Sequence, residues 1–220
     1  MNNLKLVKTV DGSHTLYNPD LDEHYHSVNG AIIESEIVFI KNGLRFSGFN
    51  PVNIFEVGFG TGLNALLTLG ETAKIDRKIN YTAIEKYPLT ADLAGKLNYA
   101  EFCGDEIAGH FMELHEARWN TPVKITERFT LTKIEGDMHD TAINYKFDLI
   151  YFDAFAPSKQ PDMWTEEIIE KIASMTVSGG IFVTYSSRGE LKRSLKRNGF
   201  SVELLKGPPG KREVTRGIKF

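Results

Sequence analysis

A glycine-rich segment near residue 60 has the residue types and spacing needed to bind a small molecule. An apolar run at 53–57 leads into glycines at three alternate positions, Gly58, Gly60 and Gly62, and a segment of helical spacing follows. Glycine adopts backbone angles closed to other residues and lets a ligand approach the main chain, while the first turn of a helix presents free N–H groups. The segment therefore predicts a ligand-binding turn between a strand and a helix.

The spacing of these glycines favours S-adenosylmethionine over a dinucleotide. A dinucleotide loop has the spacing G-x-G-x-x-G, which holds a pyrophosphate, whereas this loop has G-x-G-x-G with Glu56 two residues ahead of it. S-adenosylmethionine carries an amino acid, a sulfonium and a ribose and no phosphate, so a carboxylate at this position can help to place its ammonium group. We predict that Glu56, the three glycines and Asn64 bind this cofactor; the alternative is a tight turn without a ligand.

Two further acids follow the next predicted strands. Glu85 ends a strand-like run 23 residues after Gly62, and an acid about 20 residues beyond the loop is where a ribose diol finds an acceptor in this architecture. Asp137 follows Gly136 after the third run. There it could bind an adenine amino group or belong to an ordinary Gly-Asp turn, and the sequence favours neither. We predict both acids as cofactor-binding residues.

Asp153 is predicted as both a catalytic and a cofactor-binding residue, because it follows the apolar run 147–152 at the expected edge of the cofactor site. Methyl transfer from a sulfonium needs a neutral nitrogen held in line, and a carboxylate can orient the N–H of an amine and take up its proton. Phe155 nearby would shelter the developing cation, and Pro157 and Trp164 would contact the substrate. The alternative role for Asp153 is a helix N-cap.

The segment Glu23–Ser27 predicts a loop that caps the active site. In it Tyr25 would stack on the substrate or His26 would shuttle a proton, and we predict Tyr25 as a catalytic residue beside Asp153 and Phe155. His24 and His26 are two residues apart, but no third ligand presents itself by spacing and methyl transfer needs no metal. We therefore predict no metal site. Solvated histidines without a function remain the alternative.

The cysteine content predicts a protein of the reducing cytoplasm, and the charge is distributed unevenly along the sequence. Cys103 is the only cysteine, and no apolar run is long enough for a signal sequence or a membrane span. The net charge is −3, but residues 186–220 carry ten Lys or Arg against three Glu. A basic end on an acidic body could bind phosphates or be no more than solvated helix surface.

Strand-like and helical segments alternate over most of the chain. The strand-like runs are 53–57, 80–85, 123–134, 147–152 and 180–185, and the helical segments are 62–70, 88–99, 101–116, 165–177 and 188–198. Such a series builds an open, mostly parallel sheet with helices on both faces and the ligand at the carboxyl ends of the strands. Two last runs, 200–205 and 213–218, predict an antiparallel hairpin. We predict an α/β, Rossmann-like fold with a seven-stranded sheet.

Residues 1–48 are predicted to form an extension to a main domain of residues 49–220. The turn signal Asp11-Gly12 lies between two strand-like runs and predicts a hairpin. An apolar stripe of helical spacing follows at Ile33, Ile37, Ile40 and Leu44. This hairpin and helix are expected to pack on the main domain.

Several motifs resemble the methyltransferase domain family of the tRNA 5-methylaminomethyl-2-thiouridine biosynthesis protein MnmC. They are Asp11–Tyr17, Glu56–Asn64, Glu85–Leu89, Asp153–Trp164 and Gly210–Glu213. The resemblance implies a class I methyltransferase that uses S-adenosylmethionine to methylate the aminomethyl nitrogen of the wobble uridine in tRNA. It gives the basic C-terminal region, with Lys211 and Arg212, a tRNA partner.

Two features depart from the family pattern. The bifunctional members carry a flavin oxidoreductase domain that exposes the amine, and this sequence lacks one, so we expect a stand-alone form supplied by a separate enzyme. Position 160 is Gln where the bifunctional form usually has Asn.

Two rival functions remain open from the sequence. Residues 22–26 and the region of Asp153 also resemble spermidine synthases, although the block 155–164 lacks the further acids that a polycation would need. The second rival is a non-catalytic cofactor- or RNA-binding module. The set of Glu56, Glu85 and Asp153 disfavours that rival.

Overall fold

A computed structural model of the chain describes residues 3–220 and shows an eight-stranded sheet with a small separate sheet. The small sheet contains β1 (Lys5–Lys8), β2 (His14–Asn18) and β3 (Glu23–His24). The large sheet contains β4 (Val52–Val57), β5 (Ile79–Glu85), β6 (Pro122–Thr126), β7 (Phe129–Glu135), β8 (Phe147–Phe152), β9 (Thr176–Thr184), β10 (Phe200–Lys206) and β11 (Glu213–Lys219). Its order is β10-β11-β9-β8-β4-β5-β7-β6.

The five central strands, β9, β8, β4, β5 and β7, run parallel, and the outer strands are antiparallel to their neighbours. All six residues of β8 are buried, as expected for a strand that is covered on both faces. Because parallel strands end at the same edge, the loops after β4, β5, β8 and β9 meet there. This edge holds the site described below.

Helices cover both faces of the sheet. They are α1 (Ala31–Ser35), which continues as a π-helix (Glu36–Leu44), then α2 (Leu63–Glu71), α3 (Ala91–Ala94), α4 (Asp105–Ala108), α5 (His110–Glu116), α6 (Glu166–Met175) and α7 (Gly189–Arg197). The π-helix, α2 and α5 share one apolar core with the sheet, while α6 and α7 fill a second core on the opposite face. None of the helices within residues 3–220 is both long and apolar enough to cross a membrane.

The N-terminal hairpin is joined to α1 through one carboxylate. Asp11 in the hairpin turn accepts hydrogen bonds from the backbone N–H and the hydroxyl of Ser13 and from the backbone N–H of Ile33 at the start of α1. Leu16 of β2 packs in the same apolar core as the π-helix and the main sheet. The division of the chain at residue 48 remains a prediction, because the shared core does not decide it.

The predicted fold class is confirmed, and the local differences have physical causes. The run 123–134 forms two antiparallel strands, β6 and β7, and therefore the sheet has eight strands and not seven. The helical segments 88–99 and 101–116 are broken into short helices. Gly95, Gly104 and Gly109 stand at the ends of these helices, as expected from the entropic cost of glycine within a helix.

Candidate active site

A cavity of about 750 Å³ lies at the carboxyl ends of the parallel strands, with the N-terminal segment as one wall. Nine of the residues predicted for the site line it: Tyr25, Gly58, Gly60, Asn64, Glu85, Asp137, Asp153, Phe155 and Lys211. Five others, Glu56, Gly62, Pro157, Trp164 and Arg212, are not among its lining residues. The fold thus brings most of the predicted residues to one cavity and leaves the other five outside its lining.

The glycine loop connects β4 to α2 through three residues of positive φ. The φ angles of Gly58, Gly60 and Gly62 are 90°, 50° and 73°. A Cβ on Gly58 would lie 3.0 Å from the carbonyl oxygen of Asp153, and one on Gly60 would lie 3.2 Å from the ring of Tyr25. Glycine is needed here because other parts of the chain press against the loop, in addition to any ligand.

The side-chain amide of Asn64 connects two acids, Glu56 in β4 and Asp153 after β8. Asn64 Nδ2 donates to Glu56 Oε1 at 2.9 Å and to Asp153 Oδ2 at 2.8 Å. Burial raises the pKa of Glu56 well above its usual value, and the Asn64 amide opposes this shift. Glu56 therefore lies behind Asn64, and Asn64 is the residue that faces the cavity.

Asn64 also leaves a buried acceptor for a ligand. Its Oδ1 has no hydrogen-bond partner within residues 3–220, whereas the Glu56 carboxyl lies behind it, where the Tyr81 hydroxyl lowers the pKa of Glu56. Buried polar atoms without partners are uncommon and call for a donor. The ammonium group of S-adenosylmethionine is a suitable donor, so these residues fit that cofactor.

Glu85 and Asp137 line the same cavity as the glycine loop, and their pKa values shift in opposite directions. Glu85 accepts the backbone N–H groups of Gly60 at 2.9 Å and Tyr87 at 2.8 Å, and burial raises its pKa against these bonds. A carboxylate has about four lone-pair positions, so Glu85 can still accept a diol. Asp137 forms an ion pair with Lys86 at 2.6 Å, which lowers its pKa.

Three aromatic residues, Tyr25, Phe155 and Tyr185, line the cavity together with Asp153. The rings of Tyr25 and Phe155 meet edge to face with centroids 5.0 Å apart. The Tyr185 hydroxyl donates to the carbonyl oxygen of Ala154 at 2.8 Å, and Trp164 Nε1 donates to the carbonyl oxygen of Phe155 at 2.8 Å. Trp164 thus holds the Phe155 loop from behind the cavity.

Two residues that the sequence did not indicate share the cavity with Asp153, and one of them, Glu34, affects its pKa. Glu34 on α1 and Tyr185 after β9 both line the cavity. The pKa of Asp153 is raised to about 7, first by burial and then by the charge of Glu34, while Asn64 and Lys211 oppose the shift. Asp153 therefore changes its protonation state near neutral pH, as suits a general base.

His26 holds the glycine loop from the N-terminal wall. Its Nε2 lies 2.7 Å from the Thr61 hydroxyl, and the Tyr99 hydroxyl donates to the same oxygen at 3.3 Å. Burial lowers the pKa of His26 to about 4, so its ring is neutral at pH 7. The sequence suggests proton shuttling as a role for this histidine, whereas its contact with residue 61 has no local signal, because it depends on the tertiary fold.

Comparison with known proteins assigns the chain to a family. Residues 106–220 match a family of proteins described as S-adenosyl-L-methionine-dependent methyltransferases. The chain belongs to this family. The cofactor predicted from the glycine loop is thereby confirmed.

Individual relatives show which methyltransferases of this kind the chain is similar to. The tRNA 5-methylaminomethyl-2-thiouridine biosynthesis bifunctional protein MnmC of Paraburkholderia xenovorans is 32% identical over 219 residues, which cover 92% of this chain and 33% of that protein. The chain spans about a third of the length of the curated relatives it matches. The crystal structure of MnmC2 from Aquifex aeolicus superposes with a TM-score of 0.79 at 27% identity, over 99% of this chain and 70% of that one. The resemblance to the MnmC methyltransferase domain is thus confirmed.

The spermidine synthase of Thermotoga maritima shares the fold. It superposes with a TM-score of 0.54 at 16% identity, over 100% of this chain and 73% of that one. This lower similarity supports the common architecture and leaves the aminopropyltransferase reading the weaker alternative.

Proposed function

We propose that this methyltransferase acts on the aminomethyl group of 5-aminomethyl-2-thiouridine at the wobble position of tRNA. The observation that carries the proposal is the position of Asp153, which lies beside the cofactor loop, within the aromatic wall, with a pKa near 7. The names of the relatives, which refer to 5-methylaminomethyl-2-thiouridine in tRNA, support the choice of substrate.

The residues of the chain divide between the cofactor and the acceptor. When bound, S-adenosylmethionine would supply a methyl group on a sulfonium, which a neutral amine could take up in an in-line displacement that breaks the S–CH3 bond and leaves a neutral thioether. We assign Asn64, backed by Glu56, to the cofactor's ammonium group and Glu85 to its ribose hydroxyls. Asp137 is assigned to the adenine amino group, although its ion pair with Lys86 competes for that role.

We assign Asp153 to the amine of the substrate, which accepts the methyl group. Its carboxylate accepts an N–H of the amine and so aims the nitrogen lone pair away from itself. As the new N–C bond forms, the nitrogen becomes positive and Asp153 takes up the proton that it loses. Tyr25 and Phe155 flank this position, where aromatic rings stabilise a cation and exclude water.

We assign the RNA to the basic C-terminal region. Arg188, Arg193 and Lys196 are exposed at the start and along the outer face of α7, which directly follows the cavity residue Tyr185. Phosphate contacts from such a surface position an RNA without specifying its bases. Residues 1–48 would close the opposite wall, and a separate enzyme would supply the amine in the cytoplasm.

The test is methyl transfer to tRNA that carries 5-aminomethyl-2-thiouridine, followed by mass spectrometry of the nucleosides. We expect the methylaminomethyl nucleoside from the wild-type chain and little from Asp153→Ala, with cofactor binding retained in both by calorimetry. Cofactor binding without transfer to this tRNA would contradict the proposal and favour a non-catalytic module.

One observation keeps the aminopropyltransferase as the second candidate. The N-terminal wall adds two acids to the cavity from outside the block 155–164, namely Asp20 and Glu23, and Asp162 of that block also lines it. A parallel assay with putrescine and decarboxylated S-adenosylmethionine separates the two functions. Formation of spermidine at a rate above that of tRNA methylation would reverse the assignment.

A further inference from the structure

The acceptor end of the cavity is the part lined by Glu34, Asp153 and Tyr185, and the ammonium group of a lysine occupies some of it. Lys211 forms an ion pair with Glu34, and its Nζ lies 3.8 Å from the centroid of the Tyr185 ring. The Glu34 side chain is only 7% exposed and that of Lys211 is 30% exposed. A carboxylate beside an aromatic face is the environment that proteins use to bind an organic ammonium ion.

Both ends of the chain build this arrangement. Glu34 Oε2 accepts the backbone N–H of Ser27 at 2.8 Å, which fixes the carboxylate in the N-terminal wall. Gly210, with a φ of 84°, sits so close to Asn29 that a Cβ there would lie 2.1 Å from the Asn29 amide nitrogen. The loop between β10 and β11 is thus pressed against the N-terminal wall, and Lys211 is directed into the cavity.

The charges of the cavity explain why this lysine matters. The lining includes seven acids and three lysines: Asp20, Glu23, Glu34, Glu85, Asp137, Asp153 and Asp162, with Lys86, Lys159 and Lys211. Lys86 is paired with Asp137 at the cofactor side, and Lys159 is paired with Asp22 at the rim. Lys211 is the lysine paired with a buried acid at the acceptor end. Without it, the charge of Glu34 would be left uncompensated near Asp153.

We propose that Lys211 is a specificity-determining residue whose ammonium group fills a second cation site, formed by Glu34 and Tyr185, and so excludes diamines from the acceptor end. This inference rests on the proposed function, in which the single amine of the substrate binds at Asp153. A diamine would need a second anionic position within reach of Asp153, and Lys211 neutralises the buried carboxylate of Glu34, whereas Asp20 and Asp162 are exposed. A nucleoside with one amine meets no such obstacle.

The test is the binding of putrescine, measured by calorimetry and by its effect on thermal unfolding. Lys211→Met is expected to bind putrescine about tenfold more tightly than the wild-type chain, the scale of one recovered ammonium contact. Lys211→Arg should resemble the wild type, and the double variant Glu34→Gln/Lys211→Met should lose the gain. n-Butylamine, with one amine, can fill only one of the two cation positions at a time and should gain less affinity than putrescine in Lys211→Met.

Lys159→Met is the matched control, because it also removes a cavity lysine but frees the exposed Asp22 in place of a buried acid. We expect no gain in putrescine affinity there. If Lys211→Met does not fold, Lys211→Gln keeps a hydrogen-bond donor for Glu34 and takes its place in the same measurements. Putrescine affinity that is unchanged in the Lys211 variants, or a gain that persists in the double variant, would overturn the proposal. The assay needs no methyl transfer, so it fails independently of the tRNA assay.

Discussion

Asp153→Asn should increase the stability of the fold while it removes activity. The pKa of Asp153 is about 7 in the folded chain, against 3.8 for a free carboxyl, a difference of about 3 pH units or ~4 kcal/mol at 1.36 kcal/mol per unit. A raised folded-state pKa stabilises the fold at acid pH, and this contribution is lost as the pH rises from about 4 through about 7. Asparagine keeps the acceptor for Asn64 but never carries the charge.

The difference in stability between Asp153→Asn and the wild type should therefore be near zero at pH 4 and reach about 2 to 4 kcal/mol above pH 7, since relaxation around the charge offsets part of the penalty. Denaturant unfolding at several pH values measures it, and a thermal shift of roughly 5 to 15 °C accompanies it in a chain of this size. In the wild type, kcat/KM for the amine should rise with pH through about 7. In the variant it should fall by roughly 10²- to 10⁴-fold.

Asp148→Asn is the matched control on the same strand. Asp148 Oδ2 accepts the backbone N–H and the side-chain amide of Asn53, both at 2.8 Å. Its replacement should cost about 1 to 3 kcal/mol of folding stability and leave unchanged the pH at which kcat/KM rises. If Asp153→Asn is less stable than the wild type at pH 8, or if its kcat/KM still rises with pH through about 7, the electrostatic account of Asp153 is wrong.

Three more variants test the loop and its supports. Asn64→Leu removes the donor that two carboxyl groups share and should weaken S-adenosylmethionine binding about 10- to 100-fold by calorimetry, comparable to losing a buried charged hydrogen bond; unchanged affinity would contradict its role. Gly60→Ala adds a Cβ 3.2 Å from the Tyr25 ring at a φ of 50° and should cost about 1 to 3 kcal/mol in denaturant unfolding, a loss that a substitution at exposed Gly48 should not show. His26→Gln should lessen the loss of stability between pH 6.5 and 4 by up to about 3 kcal/mol, because the depressed pKa of about 4 makes the wild type lose stability as the unfolded state takes up a proton; an equally steep acid loss in the variant would exclude this histidine as its source.

The half of the candidate site that is assigned to the cofactor could be placed from the sequence because its signals are local. The apolar strand, the alternate glycines and the helix of residues 52–71 follow each other directly, and their spacing alone fixes the turn. Glu85 and Asp153 could be placed by the same logic, since each ends a strand of a parallel sheet. The rule that ligands bind at the carboxyl ends of such strands then brings these residues together.

The acceptor half could not be predicted in the same way, because its charges come from segments far apart in the chain. Glu34 lies in a short helix where an acid normally faces water, and its burial depends on the loop that carries Lys211, 177 residues away. Pro157 and Trp164 were expected to touch the substrate from their proximity to Asp153 in sequence. The loop turns so that neither lines the cavity, and Trp164 packs on Phe152 instead.

The bonds of Asn64 show why the two halves cannot act independently. The amide has two N–H groups, and in this structure one is donated to Glu56 and the other to Asp153. The two carboxyl groups repel each other, and the Coulomb effect of Asp153 contributes to the raised pKa of Glu56. A positive group that binds at the Glu56 side lowers this repulsion and favours ionised Asp153. Binding of the cofactor ammonium should therefore prepare Asp153 to act as the base, and an enzyme arranged in this way is most reactive toward the amine after the cofactor is in place.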